Sequence, residues 1–552
     1  MEVGGQPGIP ARAADPAAEA PRAKRLWVRP RPLSARDVLF YRACEGLTEP
    51  LIYLMVVFGP WAFGTSQRWS ISVMNGAGYL LGLLLAGKLA IRWFKGYRPP
   101  RWDDKLRGEG RRQEPAARNQ QPEIGGRRSQ VSGRRRTAGA RLAAVLAGLT
   151  VAILGYCLIS VVNARATYDP SAQSFAYRDK FISWLPHSLD SGRSWLAFWS
   201  YLGLACSFWA IRDWLLGKSE AEERAERRSP EAGGDRSGPL LPVRLRRLLW
   251  VLAVNGGLLG VEGIAQRLEG SGRLLFLVRP RVNPGAVTQF GPYAYRANAS
   301  QYFNLLWPVC LGFWWILNQS PAATRKGHHL ILVCCAIMAA CPMISTSRGG
   351  ALITVGIIAL AGFFLLAAHF LLSAQRQPER GTRRATLAWL LLFFCGALAL
   401  GFGLGWKALE PRMTRIGEGF QYREQMYYLA RPMAADYPLY GTGPGTFEPV
   451  FQLYRPALST YWPAQLHNDW LETRITFGWL GSGLIALALA VVLLRWLARG
   501  GINGGRQLII LIWLAVAGCL AHARFDFPFQ MHSIVFLFLV LCAIMVNLTR
   551  RP

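Results

Sequence analysis

Charge is what this chain has least of. Only 17% of its 552 residues are Asp, Glu, Lys or Arg, against roughly 25% in soluble domains. Acids are scarcer still, 32 against 63 basic residues, which leaves a net charge of +31. Paired cysteine motifs are also missing. The ten cysteines lie almost all inside apolar runs, and no C-x-x-C finds a second pair, which argues against a zinc ribbon or a disulfide framework. Patterns such as H-E-x-x-H or an EF-hand loop are absent, so neither metal nor cofactor is expected. No short-period repeat is visible. The stretch up to about Arg36 is rich in Ala, Pro and Arg, with no apolar core ahead of a cleavage site. It is not expected to be a signal peptide; a disordered cytoplasmic tail fits better.

Long apolar runs are what remains. They lie at about 48–66, 70–92, 142–163, 195–216, 247–265, 301–318, 329–345, 350–372, 385–405, 476–498, 507–523 and 530–548. A bilayer span needs about 20 apolar residues, and in lipid these must be helical to satisfy their backbone. The expected fold is all-α: a polytopic membrane protein of about twelve transmembrane helices, with a large extracytoplasmic loop before the tenth. The chain divides into a basic tail (1–45), two helices (46–93), a basic and disordered loop (94–141), and the remaining ten helices (142–552).

The basic residues orient it. Segment 94–141 holds 14 Lys/Arg and 5 Asp/Glu, and shorter basic links occur at Arg325-Lys326, Arg376–Arg384, Arg495–Arg506 and Arg550-Arg551. Loop 406–475 is balanced, with 7 basic and 7 acidic residues. Retention of basic loops in the cytoplasm then puts both termini in the cytoplasm and 406–475 outside. The bilayer, rather than nucleic acid, accounts for the positive charge. On the outer side there is no nucleotide sugar, so any group transferred there arrives activated on a carrier.

The chemistry-bearing residues gather on that outer side. His467 stands in L-H-N-D-W, just before a span. A histidine there serves equally as an interfacial residue in an aromatic belt or as a general base, with an ordinary pKa near 6.5. Arg348, in S-T-S-R-G-G, lies between two apolar helices with almost no loop. It either snorkels to the interface or binds an anion, helped by donors such as Ser347. Arg423 either pairs with its neighbour Glu424 or joins Arg348 and Arg296, because a set of guanidinium groups suits a diphosphate. Tyr427, Asn468 and Arg474 complete the candidates for substrate binding. G-T-G-P-G (Gly441–Gly445) looks superficially like a phosphate loop, but no strand precedes it, and a tight turn is expected. Few ionisable residues lie within spans, Lys88 and Glu262 being near the ends or isolated.

Taken together, His467, Asn468, Gly478 and Gly481 (H-N-x9-G-x-x-G), S-T-S-R-G-G, Y-P-L-Y-G-T-G-P-G-T-F and the closing A-H-A-R-F-D-F-P-F-Q (from the Ala before His522 to Gln530) resemble the O-antigen ligase family over about 290–530. The resemblance implies transfer of a glycan from an undecaprenyl-diphosphate carrier to an acceptor hydroxyl on the periplasmic face. His467 would be the base, and Arg348 and Arg423 would hold the diphosphate, with inversion and without a metal. The family includes ligases to lipid A-core, O-antigen polymerases and protein O-oligosaccharyltransferases, so the acceptor stays open among lipid A-core, glycan and protein. A glycan transporter is the rival class; it would place its ionisable residues along a midplane path.

Overall fold

Each of the twelve apolar runs falls on a helix of the computed structural model, which describes residues 33–102, 138–228, 241–319, 326–375, 380–456, 464–494 and 505–548. In chain order the main helices are α1 (Ala35–Trp61), α2 (Arg68–Phe94), α3 (Ala138–Val162), α4 (Ser191–Leu216), α5 (Val243–Glu269), α6 (Arg296–Asn318), α7 (Leu330–Ile344), α8 (Arg348–Gln375), α9 (Arg380–Thr414), α10 (Ile416–Asp436), α11 (Asp469–Leu494), α12 (Arg506–His522) and α13 (His532–Leu548). Among the described residues the only sheet is a hairpin pairing Ala166–Asp169 with Ser174–Tyr177. Eight of these helices contain stretches long and apolar enough to cross a bilayer, while α12 and α13 are shorter apolar helices. The all-α membrane architecture stands; twelve spans is more than length and hydropathy alone support.

Two boundaries differ from the expectation. α1 begins at Ala35, inside the segment read as tail, because Ser34 and Asp37 form a capping box that satisfies the first free N–H groups. α9 runs on to Thr414 and α10 follows after one residue, so the polar interval 406–475 is largely helical at its start. Most of the basic segment 94–141 lies outside the described residues.

The bundle is organised around α6. Every residue from Ala297 to Ile316 is buried, including Trp307 and Trp314, as expected of a helix enclosed on all sides. Its polar residues are paired inside: Asn304 Nδ2 donates to the Gly350 carbonyl at 3.0 Å and its Oδ1 accepts from Thr354 at 2.6 Å. These bonds fix α6 against the first turns of α8. At its far end α5 stops at Gly270, whose φ of 73° is the left-handed helix cap that glycine adopts at no steric cost.

The two ends of α5 mark the two polar ends of the bundle. At its start Arg244 meets Glu45. There Lys88, fully buried, bonds Glu45 at 2.9 Å and Asp213 at 3.3 Å, so it is neither isolated nor unpaired. At its other end Arg267 enters the group of residues that includes His467's neighbours. A second, smaller core sits at that end, built from Leu189, Met426, Met433, Val450, Phe451 and others of segments 163–190 and 416–475.

Candidate active site

The site is held by a kinked helix start and a short turn. Asn468 caps α11, its Oδ1 accepting from the Leu471 N–H at 3.1 Å. The Glu472 carboxylate accepts from the Leu466 N–H at 2.8 Å, closing the loop on itself. Between them His467 adopts φ 57°, a left-handed conformation that costs a non-glycine residue roughly 1–2 kcal/mol. Tyr427 of α10 holds it there by donating to the His467 carbonyl at 2.7 Å. An outlier over-determined by its surroundings is a frequent mark of a working residue.

The His467 ring faces Asp526, in the turn between α12 and α13. Nδ1 lies 3.0 Å from Asp526 Oδ1, and the ring packs edge-on to Phe527 with centroids 4.8 Å apart. Asp526 is buried, and burial opposes its ionisation. The hydrogen bond and charge interaction with His467, then the charge of Arg423, outweigh that and hold its pKa at about 2. An ionised carboxylate only accepts, so Nδ1–H donates and Nε2 is left for another proton.

Asp526 is shared. Its Oδ2 accepts from Tyr295 Oη at 3.2 Å and pairs with Arg423 Nη2 at 3.4 Å, while Arg423 also donates to the Phe525 carbonyl. Burial works against the Arg423 charge, but Asp526 beside it more than compensates and raises its pKa above arginine's usual value. Glu424, the sequence neighbour, is not its partner.

Four more guanidinium groups converge from four other elements. Arg348 begins α8 and donates to the Arg415 carbonyl at 2.9 Å. Arg296 begins α6 and donates to the Val287 carbonyl at 2.6 Å. Arg267 ends α5 and donates to the carbonyls of Ala286, Gln289 and Ser345. Arg412 stands near the end of α9, its buried Nε unpaired. Their charges act on one another: Arg296 feels Arg412, Arg267 and Arg348, and Arg348 feels Arg423. Among the described residues none of these four is bonded to a carboxylate, and backbone carbonyls are their main partners. Such a cluster is costly unless an anion completes it.

Of the residues singled out from sequence, His467, Asn468, Arg423, Tyr427, Arg348 and Arg296 come together here. Ser347 caps α8, accepting from the Gly350 N–H at 3.2 Å, so it shapes the turn that carries Arg348. Arg474 is placed elsewhere: it donates to the Pro438 carbonyl at 2.9 Å and lies 4.1 Å over Trp479. Asp526, Tyr295, Arg267 and Arg412 were not anticipated. Asp526 had a signal, being the one acid in the quoted last turn, where a histidine base would want a carboxylate to orient it. Arg412 was hidden by the zero net charge of its segment. The glycine loop is a joint rather than a phosphate cradle: Thr442 and Gly443 donate to the carbonyls of Ile475 and Thr476 at 2.9 and 3.0 Å, and all three loop glycines have positive φ.

These features define an integral membrane protein of helices with a histidine–carboxylate pair beside an arginine cluster at one end of the bundle. The family model described as O-antigen ligase matches residues 333–486, and over that segment the chain is similar to the O-antigen ligase family. The matched residues include Arg348, Arg423 and His467; Asp526, Arg296 and Arg267 lie outside them. No curated protein matches the chain.

Proposed function

We propose that this protein transfers a glycan from undecaprenyl diphosphate to an acceptor hydroxyl on the periplasmic face of a bacterial inner membrane, with both termini in the cytoplasm. The observation that carries this is a carboxylate-bound histidine beside four guanidinium groups, those of Arg348, Arg296, Arg267 and Arg412, that among the described residues are bonded to no carboxylate. The distribution of basic residues along the chain supports the orientation.

In this reading Asp526 fixes the His467 ring through Nδ1, and Nε2 takes the proton of the acceptor hydroxyl. The hydroxyl oxygen attacks the anomeric carbon as the bond from that carbon to the phosphate oxygen breaks. The electron pair leaves on the diphosphate, and the configuration inverts. Arg348, Arg423 and Arg296, joined by Arg412 and Arg267, offset the growing charge of the leaving group. Fixed positive charge at the point where negative charge develops is usually the largest catalytic contribution, and a positioned base adds about 10²–10⁴-fold.

The test is transfer in membranes carrying His467→Ala or Arg348→Ala. Each is expected to abolish transfer while expression and membrane insertion persist; full activity in either overturns the mechanism. Mass analysis of surface glycans after deletion of the chain identifies the acceptor. Loss of one linkage with accumulation of its carrier-linked donor is the expected result. A labelled glycan crossing the membrane with its linkage unchanged would instead reveal a transporter.

A further inference from the structure

Helix α10 carries Gly419, Arg423 and Tyr427 at four-residue intervals, the spacing that puts side chains on one stripe. Each position of the stripe meets a different part of the site. Tyr427 holds the His467 carbonyl and Arg423 holds Asp526. At Gly419 the guanidinium of Arg348 lies directly against the helix, in the space that a Cβ would occupy. Glycine in a helix interior loses more backbone freedom than alanine does, and Gly419 has no positive φ to excuse it. Its use here is therefore room, not conformation. Gly417, two residues earlier along α10, has nothing within 4 Å of its own Cβ position.

We propose that Gly419 is a positioning residue for the transfer reaction. The missing side chain lets Arg348 seat against α10, so that one helix sets where the arginine stands relative to the His467–Asp526 pair. The bond from Arg348 to the Arg415 carbonyl, in the turn that leads into α10, helps to hold the same seat. This rests on the reading above, in which Arg348 grips the diphosphate.

The experiment measures binding of undecaprenyl diphosphate to the purified full-length chain, with four variants beside the wild type. Gly419→Ala is expected to weaken binding by roughly tenfold, the effect of misplacing one charge-assisted contact. Its thermal unfolding should be unimpaired, because the atom displaced is the end of a flexible side chain and alanine favours helix. Gly417→Ala is expected to bind as the wild type does. In an Arg348→Ala background, Gly419→Ala should add no further loss. Equal binding by Gly419→Ala and wild type overturns the proposal, as does the same loss with and without Arg348, which would make Gly419 structural. A wild-type chain that binds no undecaprenyl diphosphate overturns the functional reading itself, and this proposal with it.

Discussion

Asp526 joins more of the site than any other side chain: His467 through one oxygen, Tyr295 and Arg423 through the other. Asp526→Asn keeps its shape but loses the charge that favours Nδ1–H and stabilises the imidazolium. Transfer is expected to fall by about 10²-fold or more, measured as turnover of a lipid-diphosphate donor by folded variant. The same carboxylate has a pH signature. Its folded pKa is depressed to about 2, from an ordinary value of about 3.9. The sign follows: its ion pairs stabilise the fold in full above that ordinary value, and this contribution is lost as pH falls through the folded one. The gap in unfolding midpoint between wild type and Asp526→Asn should therefore be constant above about pH 5 and shrink as pH approaches about 2. A gap that did not change with pH would mean that the stabilisation is not ionic. His467, Arg348 and Arg423 were legible in the sequence because each sits in a short motif at the edge of an apolar run. Asp526 lies 59 residues beyond His467, and no local spacing announces that pairing.

At the scale of elements, the site depends on a break in α11. Gly478 has φ 59° and ψ −166° inside that helix, a conformation open essentially to glycine alone. The break frees the backbone of 475–480 to pair with 438–443: Trp479 and Leu480 donate to the carbonyls of Pro438 and Leu439 at 2.9 and 3.1 Å. A Cβ at Gly478 would fall on the Leu439 carbonyl. Gly478→Ala is thus expected to destabilise the protein by about 1–3 kcal/mol, read as a lowered unfolding midpoint, and to reduce transfer by loosening the turn that precedes α11. The apolar runs that gave twelve helices depend on mean hydropathy over a window, so they found the bundle readily. They passed over α10, whose buried face is Met426, Tyr427, Ala430 and Met433. The helical spacing is present, but Gly417, Gly419 and Pro432 dilute it, and its packing partners are supplied by segment 163–190 and the start of α11.

On the scale of the whole molecule, the charged residues that lie within helices sit at two ends that do different work. Among the described residues, four arginines of the cluster, Arg348, Arg296, Arg267 and Arg412, are bonded to no carboxylate, as a site waiting for an anion would be. The other end is paired: Asp213 meets Lys88 at 3.3 Å, Arg92 at 2.7 Å, and Arg101, tying α2, α4 and the residues after α2 together, while Glu45 brings in α1 and α5 through Lys88 and Arg244. The sequence showed Lys88 as a lone charge near a helix end, because its partners lie 43 and more residues away. Removing one partner from a buried pair strands the other, at a cost of about 3–5 kcal/mol. Asp213→Asn should therefore lower the yield and unfolding midpoint of the purified protein. Arg244 and Arg267, near the two ends of α5, are roughly 35 Å apart at 1.5 Å per residue, so the folded fraction should transfer glycan at the wild-type rate. Catalysis lost with stability unchanged would mean instead that the paired end takes part in the reaction cycle, as a transporter moving a group from one side to the other would require. Equal specific activity confines the chemistry to the arginine end and leaves the paired end as the fastening of the bundle.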